Sequence, residues 1–290
     1  VKRAAGLTPE WLDHAAGLLR ERTGLVFPEA RRDALEEGLR RAMRRAAVRE
    51  PAEYLARLAG EASLLDDLVS EVTVGETHFF RAPEQFSVIV DELLRLRPTA
   101  PGRPLRIWSA GCASGEEPYT LAIVLHRLGL HGGAQILGTD ISRSALAKAH
   151  RARYTRWSLR GVDAGIVQTY FKPEHDEFEL VPEIKSSVDF RYLNLVEDTY
   201  PSLAAGVWGM DLILCRNVLI YFDSETAARV TRRLIASLSP DGWLLLGASD
   251  PAATDLAGCE AALTAAGLIY RRSGGVVRGL GATIGTWSAP

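Results

Sequence analysis

The stretch Ile107-Trp108-Ser109-Ala110-Gly111-Cys112-Ala113-Ser114-Gly115-Glu116-Glu117-Pro118-Tyr119 decides the fold. Its first part completes a buried strand, Leu105–Ser109, and its last part opens a helix, Glu116–Leu128, with two glycines between them. Glycines at the carboxyl end of a strand let a ligand approach the backbone closely. The spacing is Gly-x-x-x-Gly, not the Gly-x-Gly-x-x-Gly of dinucleotide folds, so a diphosphate cradle is disfavoured. Read alone, the segment also fits a tight strand-to-helix turn with no ligand.

Working outward, the same texture repeats. Ala134–Thr139 reads as a second strand and Arg143–Arg153 as its helix, and Met210–Cys215 and Trp243–Ala248 are two more buried strands around a helix at Ser224–Leu238. Such alternation predicts a mostly parallel sheet. Asp140 ends the second strand, 140 − 111 = 29 residues beyond Gly111. An acid there can accept hydrogen bonds from both hydroxyls of a ribose, although Asp140 or Ser142 also suits the cap of the following helix. Leu238-Ser239-Pro240-Asp241-Gly242 reads as a helix end and a turn before the last strand. In Glu177–Leu193, Phe178, Leu180, Val188, Phe190 and Tyr192 alternate around Pro182. That pattern predicts a small antiparallel hairpin, near residues 171–190, inserted in the sheet order.

Upstream of about residue 74 the pattern is helical throughout. A helix from Pro9 stops near Thr23 at Gly24, a second spans Pro28–Arg49, a third starts at Pro51, and Ser63 caps a fourth that reaches Val74. On the second, Leu35, Leu39, Ala42, Met43 and Ala46 share one face, and Arg40, Arg41, Arg44 and Arg45 the other. Residues 31–49 hold seven arginines and three acids, a local +4 on a chain of net charge −2. The division is thus an all-helical region at 1–74, an α/β domain at 75–275 and a Gly-containing tail or linker at 276–290.

Composition limits the alternatives. Of 290 residues, 47% are hydrophobic and 24% charged, which fits a globular chain. The slightly negative balance disfavours a nucleic-acid binder driven by overall positive charge. No run approaches the roughly 18 apolar residues of a membrane span, and the first residues lack the apolar core of a secretory signal. Three widely separated cysteines argue against a disulfide framework or a zinc cluster and for the cytoplasm. The six histidines show no metal-ligand spacing.

A glycine loop, a ribose acid, a Pro-Asp-Gly turn and a buried strand, in this order, resemble a Class I S-adenosylmethionine-dependent methyltransferase. Two further segments are more specific: Val72-Thr73-Val74-Gly75-Glu76-Thr77-His78-Phe79-Phe80-Arg81 and Asp211-Leu212-Ile213-Leu214-Cys215-Arg216-Asn217-Val218-Leu219-Ile220-Tyr221-Phe222-Asp223. With the Gly-Glu-Glu-Pro-Tyr segment they resemble the CheR family, which methylates glutamate side chains on bacterial chemoreceptors. The resemblance covers about residues 7–250. It implies a doubly wound α/β sheet with a small antiparallel insertion, preceded by an all-α domain.

It also implies S-adenosyl-L-methionine as cofactor, with S-adenosyl-L-homocysteine as product. By resemblance, Thr77, Arg81, Gly111, Glu117, Asp140, Asn194, Leu195, Asn217 and Val218 hold the cofactor, and Arg81 and Tyr221 orient the acceptor carboxylate. The implied partner is the acidic helical cytoplasmic domain of a chemoreceptor or a related signalling protein. The arginine stripe Arg40, Arg41, Arg44 and Arg45 suits such a partner, and it also suits a plain solvated helix face. No nucleic acid, no membrane insertion, no metal and a monomer are expected.

Two positions depart from the family pattern. Gly75 stands where the family usually has Asn, and Ala248-Ser249-Asp250 where it often has His-Ser-Glu; the latter is assigned no chemistry. Residues 171–178 contain no glycine, three acids and a proline, which disfavours capture of a receptor-tail peptide by strand addition. Two alternatives stay open: the same chemistry on a non-chemotaxis protein, and a noncatalytic S-adenosylmethionine-binding regulator. A nucleic-acid methyltransferase is disfavoured, because no Asn-Pro-Pro-Tyr-type loop follows the fourth strand.

Overall fold

A computed structural model describes residues 7–73, 75–95, 103–252, 256, 258–264 and 267–273. The tail expected at 276–290 lies outside the described residues.

The first four helices are α1 (Pro9–Thr23), α2 (Arg32–Arg45), α3 (Pro51–Leu58) and α4 (Ala62–Val72). Gly24 ends α1 in the left-handed region, φ 73°, with its N–H on the Arg20 carbonyl. Leu12, Leu19, Leu35, Leu39, Tyr54, Leu55 and Leu68 form their shared core. Helix α2 is shorter than its pattern predicts. Pro28 starts a single 3-10 turn at Glu29–Arg31, and at the other end Ala47 adopts φ 54°, so Arg45 is the last helical residue. Ser63 lies inside α4 and not at its cap, which is Glu61.

The remaining elements are α5 (Pro83–Arg95), β1 (Leu105–Ala110), α6 (Glu116–Arg127), β2 (Ala134–Asp140), α7 (Arg143–Arg151), β3 (Arg153–Thr155), α8 (Ala164–Tyr170), β4 (Phe171–Glu174), β5 (Glu177–Leu180), α9 (Pro182–Lys185), β6 (Val188–Tyr192), β7 (Met210–Cys215), α10 (Ser224–Ser237), β8 (Leu238–Leu246), β9 (Cys259–Thr264) and β10 (Gly267–Arg272). The main sheet has the order β6-β2-β1-β7-β8-β10-β9. Its first five strands are parallel, and β10 and β9 are antiparallel additions. From β1 the chain moves outward to β2 and β6 on one side, and later to β7 and β8 on the other. The strand order therefore reverses at β1, and a crevice opens beyond the carboxyl ends of β1, β2 and β7.

The inserted hairpin differs from expectation. Val188–Tyr192 is not its second strand: it is β6, in parallel register with β2 from Ile136↔Val188 to Asp140↔Tyr192. The hairpin is β4–β5, Phe171↔Leu180 to Glu174↔Glu177, and β3 adds on the far side of β5. Both segments alternate with period two, so periodicity alone could not assign the partner. Pro182, which starts α9, separates them. Two smaller corrections follow the same logic. Ala152 at φ 53° stops α7 before Arg153, and Pro240-Asp241 lies within β8 rather than ahead of it.

Helix α2 packs on α4 through Gly38. A Cβ there would lie 2.6 Å from Val72 Cγ1 and 3.1 Å from the Glu71 carbonyl oxygen. Alanine would gain up to about 1 kcal/mol of helix propensity, but overpacking costs about 1–3 kcal/mol. Gly38→Ala should therefore lower stability by about 1 kcal/mol in urea denaturation. A raised midpoint would mean that α2 and α4 are not in tight contact.

Candidate functional site

The crevice holds a cavity of two lobes. The larger, about 270 Å³, is polar and lined by Glu76, Thr77, His78, Arg81, Glu117, Arg216 and Ile220 among others. The smaller, about 100 Å³, is mainly apolar, with Leu25, Ile141, Leu193, Leu195, Val218 and Phe222 around Asp140. Gly111, Ala113, Asn217 and Tyr221 line both lobes and mark their junction. The cavity thus suits an elongated ligand that is charged at one end and flat and apolar at the other.

Gly111 is required twice over. Its φ is +76°, and a Cβ would sit 2.4 Å from Val218 Cγ2. Asp140 ties this loop to the next: Oδ2 accepts the Ala113 N–H and Oδ1 the Ser142 N–H, each at 2.8 Å. Burial pushes the Asp140 carboxyl up, and these backbone bonds oppose the rise. Each oxygen keeps a further lone pair for a ligand hydroxyl. Ser142 is the cap of α7, accepting from the Ala145 N–H, so the capping and ribose readings of this segment are compatible.

Glu117 stands on the first turn of α6. Its Oε1 accepts from Ser109 Oγ at 2.6 Å, and its Oε2 pairs with Arg216 Nη1 at 3.0 Å. Arg216 is nearly inaccessible, and its Nη2 donates to the Arg81 carbonyl at 2.6 Å. Its Nε is buried without a partner among the described residues. One guanidinium therefore fixes both Glu117 and the Gly75–Arg81 segment. Arg81 Nη1 donates to the Glu76 carbonyl. His78 Nδ1 lies 2.9 Å from Arg160 Nη2 and accepts from it. Burial, then the Arg160 and Arg81 charges, hold the His78 imidazolium pKa down.

Asn217 adopts φ 59°, and the turn it begins is anchored by Asp250. Asp250 Oδ2 accepts the N–H groups of Asn217 and Gly247 at 2.6 and 2.8 Å, and Oδ1 those of Val218 and Ile220 at 3.1 and 3.3 Å. Asn194 is buried; its Nδ2 donates to the Arg22 carbonyl at the end of α1, and Leu195 beside it lines the apolar lobe. Gly75 lines that lobe without a side chain. Cys112 and Cys215 are buried, and burial pushes both thiols well above the ordinary range, which removes them as nucleophiles.

The structure brings Thr77, Arg81, Gly111, Glu117, Asp140, Asn194, Leu195, Asn217, Val218 and Tyr221 to this one cavity. It does not bring the arginine stripe there. Arg40 pairs with Glu36, Arg41 with Glu71 and Glu37, and Arg45 with Glu71 and Asp67. Only Arg44, of these four, has no carboxylate partner among the described residues. Sequence reasoning missed Arg216 and Asp250, although both lie in segments it had singled out. Among the described residues no group of three or more acids, histidines or cysteines is placed to hold a metal, and no helix is long and apolar enough to cross a membrane.

Fold and crevice together define a Class I S-adenosylmethionine-dependent methyltransferase. Residues 12–73 match the CheR methyltransferase all-alpha domain, and residues 75–259 the CheR methyltransferase SAM-binding domain. The chain belongs to the CheR methyltransferase family. It is 37% identical over 234 residues to the probable biofilm formation methyltransferase WspC of Pseudomonas putida, covering 80% of this chain and 54% of that protein. It is 32% identical to WspC of Pseudomonas aeruginosa, over 92% of this chain and 63% of that protein. Chemotaxis protein methyltransferase 1 of P. aeruginosa is 34% identical over 80% of this chain and 86% of its own length. The chain thus spans about half to two thirds of the two WspC proteins.

Two variants test the framework of the site. Asp250→Asn turns an amide N–H₂ toward backbone N–H groups and should cost about 1.5–3 kcal/mol in urea denaturation; an unchanged midpoint would dismiss the anchor. Glu116 is buried and accepts from Ser114 and Ser158. Burial raises its carboxyl above the ordinary 4.5, and the hydroxyls oppose this. The folded chain then holds this proton to higher pH than the unfolded chain does. Its contribution to stability is full below the ordinary value and is lost as pH rises through the folded one. The stability difference between wild type and Glu116→Gln, measured from about pH 4 to pH 7, should therefore shift against wild type as pH rises. A pH-independent difference would contradict the raised value.

Proposed function

We propose that the chain transfers a methyl group from S-adenosylmethionine to glutamate side-chain carboxylates on the acidic, helical cytoplasmic domain of a chemoreceptor, acting in the cytoplasm as a monomer. The observation that carries this reading is the meeting of Arg81 and Tyr221 in the polar lobe, beside the junction with the apolar lobe.

The residues present fit the cofactor. Asp140 would accept the ribose hydroxyls with the lone pairs left free by Ala113 and Ser142. Leu193, Leu195, Ile141 and Val218 would enclose the base, with Asn194 and Asn217 at its edges. Glu117 would accept the ammonium of the methionine end, its own charge kept in place by Arg216. Gly111 removes the side chain that would otherwise fill the junction, and Thr77 and Arg81 close the polar lobe. Gly75 offers no amide, so the side-chain contact implied by the family pattern has no counterpart at that position. When bound, the cofactor supplies an electrophilic methyl on a positively charged sulfur.

The acceptor needs little chemical help. A glutamate side chain has a pKa of about 4.3 and is ionised at neutral pH, so no strong base is required. The chain's task is alignment and exclusion of water. Arg81 positions the acceptor carboxylate; a full ion pair would blunt its nucleophilicity. Tyr221 donates a hydrogen bond to one carboxylate oxygen and leaves the other to react. Edge strand β4 carries Pro173, which removes an N–H from the ladder, and this favours docking without strand addition. A second reading keeps the chemistry and changes the receptor to one outside chemotaxis; the names of the WspC relatives favour it.

The test is transfer of tritiated methyl to candidate receptor domains from both classes, with base-labile release distinguishing ester from amide. Arg81→Ala and Tyr221→Phe should retain S-adenosylhomocysteine affinity better than turnover, which should fall about tenfold or more, a barrier increase of at least about 1.4 kcal/mol. Wild-type turnover by either variant would remove that residue from the reaction.

A further inference from the structure

The turn that leads into helix α2 reaches the cavity-lining Tyr221 through one side chain. Arg31 closes the 3-10 turn that leads into α2, and its guanidinium carbon lies 4.5 Å from the centroid of the Tyr221 ring and 5.0 Å from that of Phe27. The same side chain donates from Nη1 to the Val26 carbonyl at 3.2 Å, and the Val26 N–H donates to the Tyr221 carbonyl at 2.9 Å. Tyr221 is thus held at its ring and at its main chain by one short segment of the helical domain. Arg31 itself lines neither lobe of the cavity.

The charge accounting is unusual for this helix. Arg32, Arg40, Arg41 and Arg45 all have carboxylate partners. Arg31 is partly buried and has none among the described residues, and burial lowers its pKa. A partly desolvated cation without a counter-ion is costly, and here two aromatic faces compensate it. On the other side of the turn, Asp250 fixes the N–H groups of Asn217, Val218 and Ile220. That anchor stops one residue short of Tyr221, whose own N–H bonds to the Val218 carbonyl within the turn.

We infer that Arg31 is a positioning residue for Tyr221: stacked on the ring, it aims the hydroxyl into the polar lobe and joins the mouth of the active site to the start of helix α2. The inference rests on the role proposed above for Tyr221. Arg40 to Arg45 lie 9–14 residues further along α2, about 14–21 Å at 1.5 Å per residue. A partner lying along that face would contact the helix that directly follows the residues holding the tyrosine.

A double-mutant cycle tests this, with single-turnover methylation of a receptor domain measured for wild type, Arg31→Ala, Tyr221→Phe and the double variant. Arg31→Ala should slow methyl transfer roughly five- to thirtyfold, the rate equivalent of one desolvated cation–π contact. S-adenosylhomocysteine affinity by calorimetry should change by less than about twofold, because Arg31 touches neither lobe. In the Tyr221→Phe background the same change should do nothing more, since no hydroxyl remains to be aimed. Arg31→Lys should recover part of the rate, because an ammonium also binds a ring face. Should Arg31→Ala fail to fold, Arg31→Lys and Arg31→Met complete the same cycle. Independent, multiplicative losses, or a loss of rate that tracks a loss of cofactor affinity, overturn the inference while leaving Tyr221 in place. Wild-type transfer by Tyr221→Phe removes the proposed role of Tyr221 and this inference with it.

Discussion

The site depends on one close approach. The loop after β1 and the turn after β7 touch where Gly111 meets Val218, and the gap leaves no room for a Cβ. The two strands are neighbours in the sheet, so their loops would meet in any protein with this strand order. What is particular here is that the first loop has no side chain at the meeting point and has a backbone that needs φ +76°. The cavity's two lobes join at this place. A larger residue would part the loops and with them the polar groups of one lobe from the apolar wall of the other.

Around that contact, buried charge fixes the loops in three dimensions. Two carboxylates do similar work on opposite sides: Asp140 accepts backbone N–H groups from the loop after β1 and from the cap of α7, and Asp250 accepts four from the turn after β7 and the end of β8. Glu117 and Arg216 form the third fixture, and through Nη2 of Arg216 it reaches the segment that ends at Arg81. Backbone N–H groups that point into a cavity need acceptors, and a carboxylate can serve several at once. The small sheet contributes too, since Tyr154 of β3 donates to the Ser114 carbonyl in the glycine loop. Rigid loops are what an alignment-driven reaction needs.

The sequence made some of this legible and hid the rest for physical reasons. The strands of the parallel core are continuous apolar runs because both faces are covered, and Met210–Cys215 is buried at every residue. Gly111 and Asp140 are read from their places at strand ends, and Glu117 from the family resemblance alone. The hairpin partner was not legible, because Phe178 and Phe190 sit in equally alternating segments that join different sheets. Arg216 and Asp250 were read past for another reason. Arg216 finds Glu117 at a separation of 99 residues, and Asp250 finds Asn217 at 33. No local pattern announces such a pairing; only the sheet order brings the residues together.

Helix α2 shows why a count of arginines is a poor guide to function. By charge alone residues 31–49 carry +4, yet most of the exposed face of α2 is neutralised by Glu36, Glu37, Asp67 and Glu71. Exposed pairs of this kind contribute little individually, and they leave a surface of alternating sign with Arg44 unpaired among the described residues. The field such a surface projects is weaker than +4 suggests and falls off over about 8 Å at physiological ionic strength. Arg31, in the 3-10 turn just before the same helix, faces the rings of Phe27 and Tyr221. Its charge has no carboxylate partner among the described residues, and it sits against the tyrosine that lines both lobes of the cavity. The stripe is thus largely paired, whereas the cation that this region places against a cavity-lining side chain lies in the turn before α2, which composition does not single out.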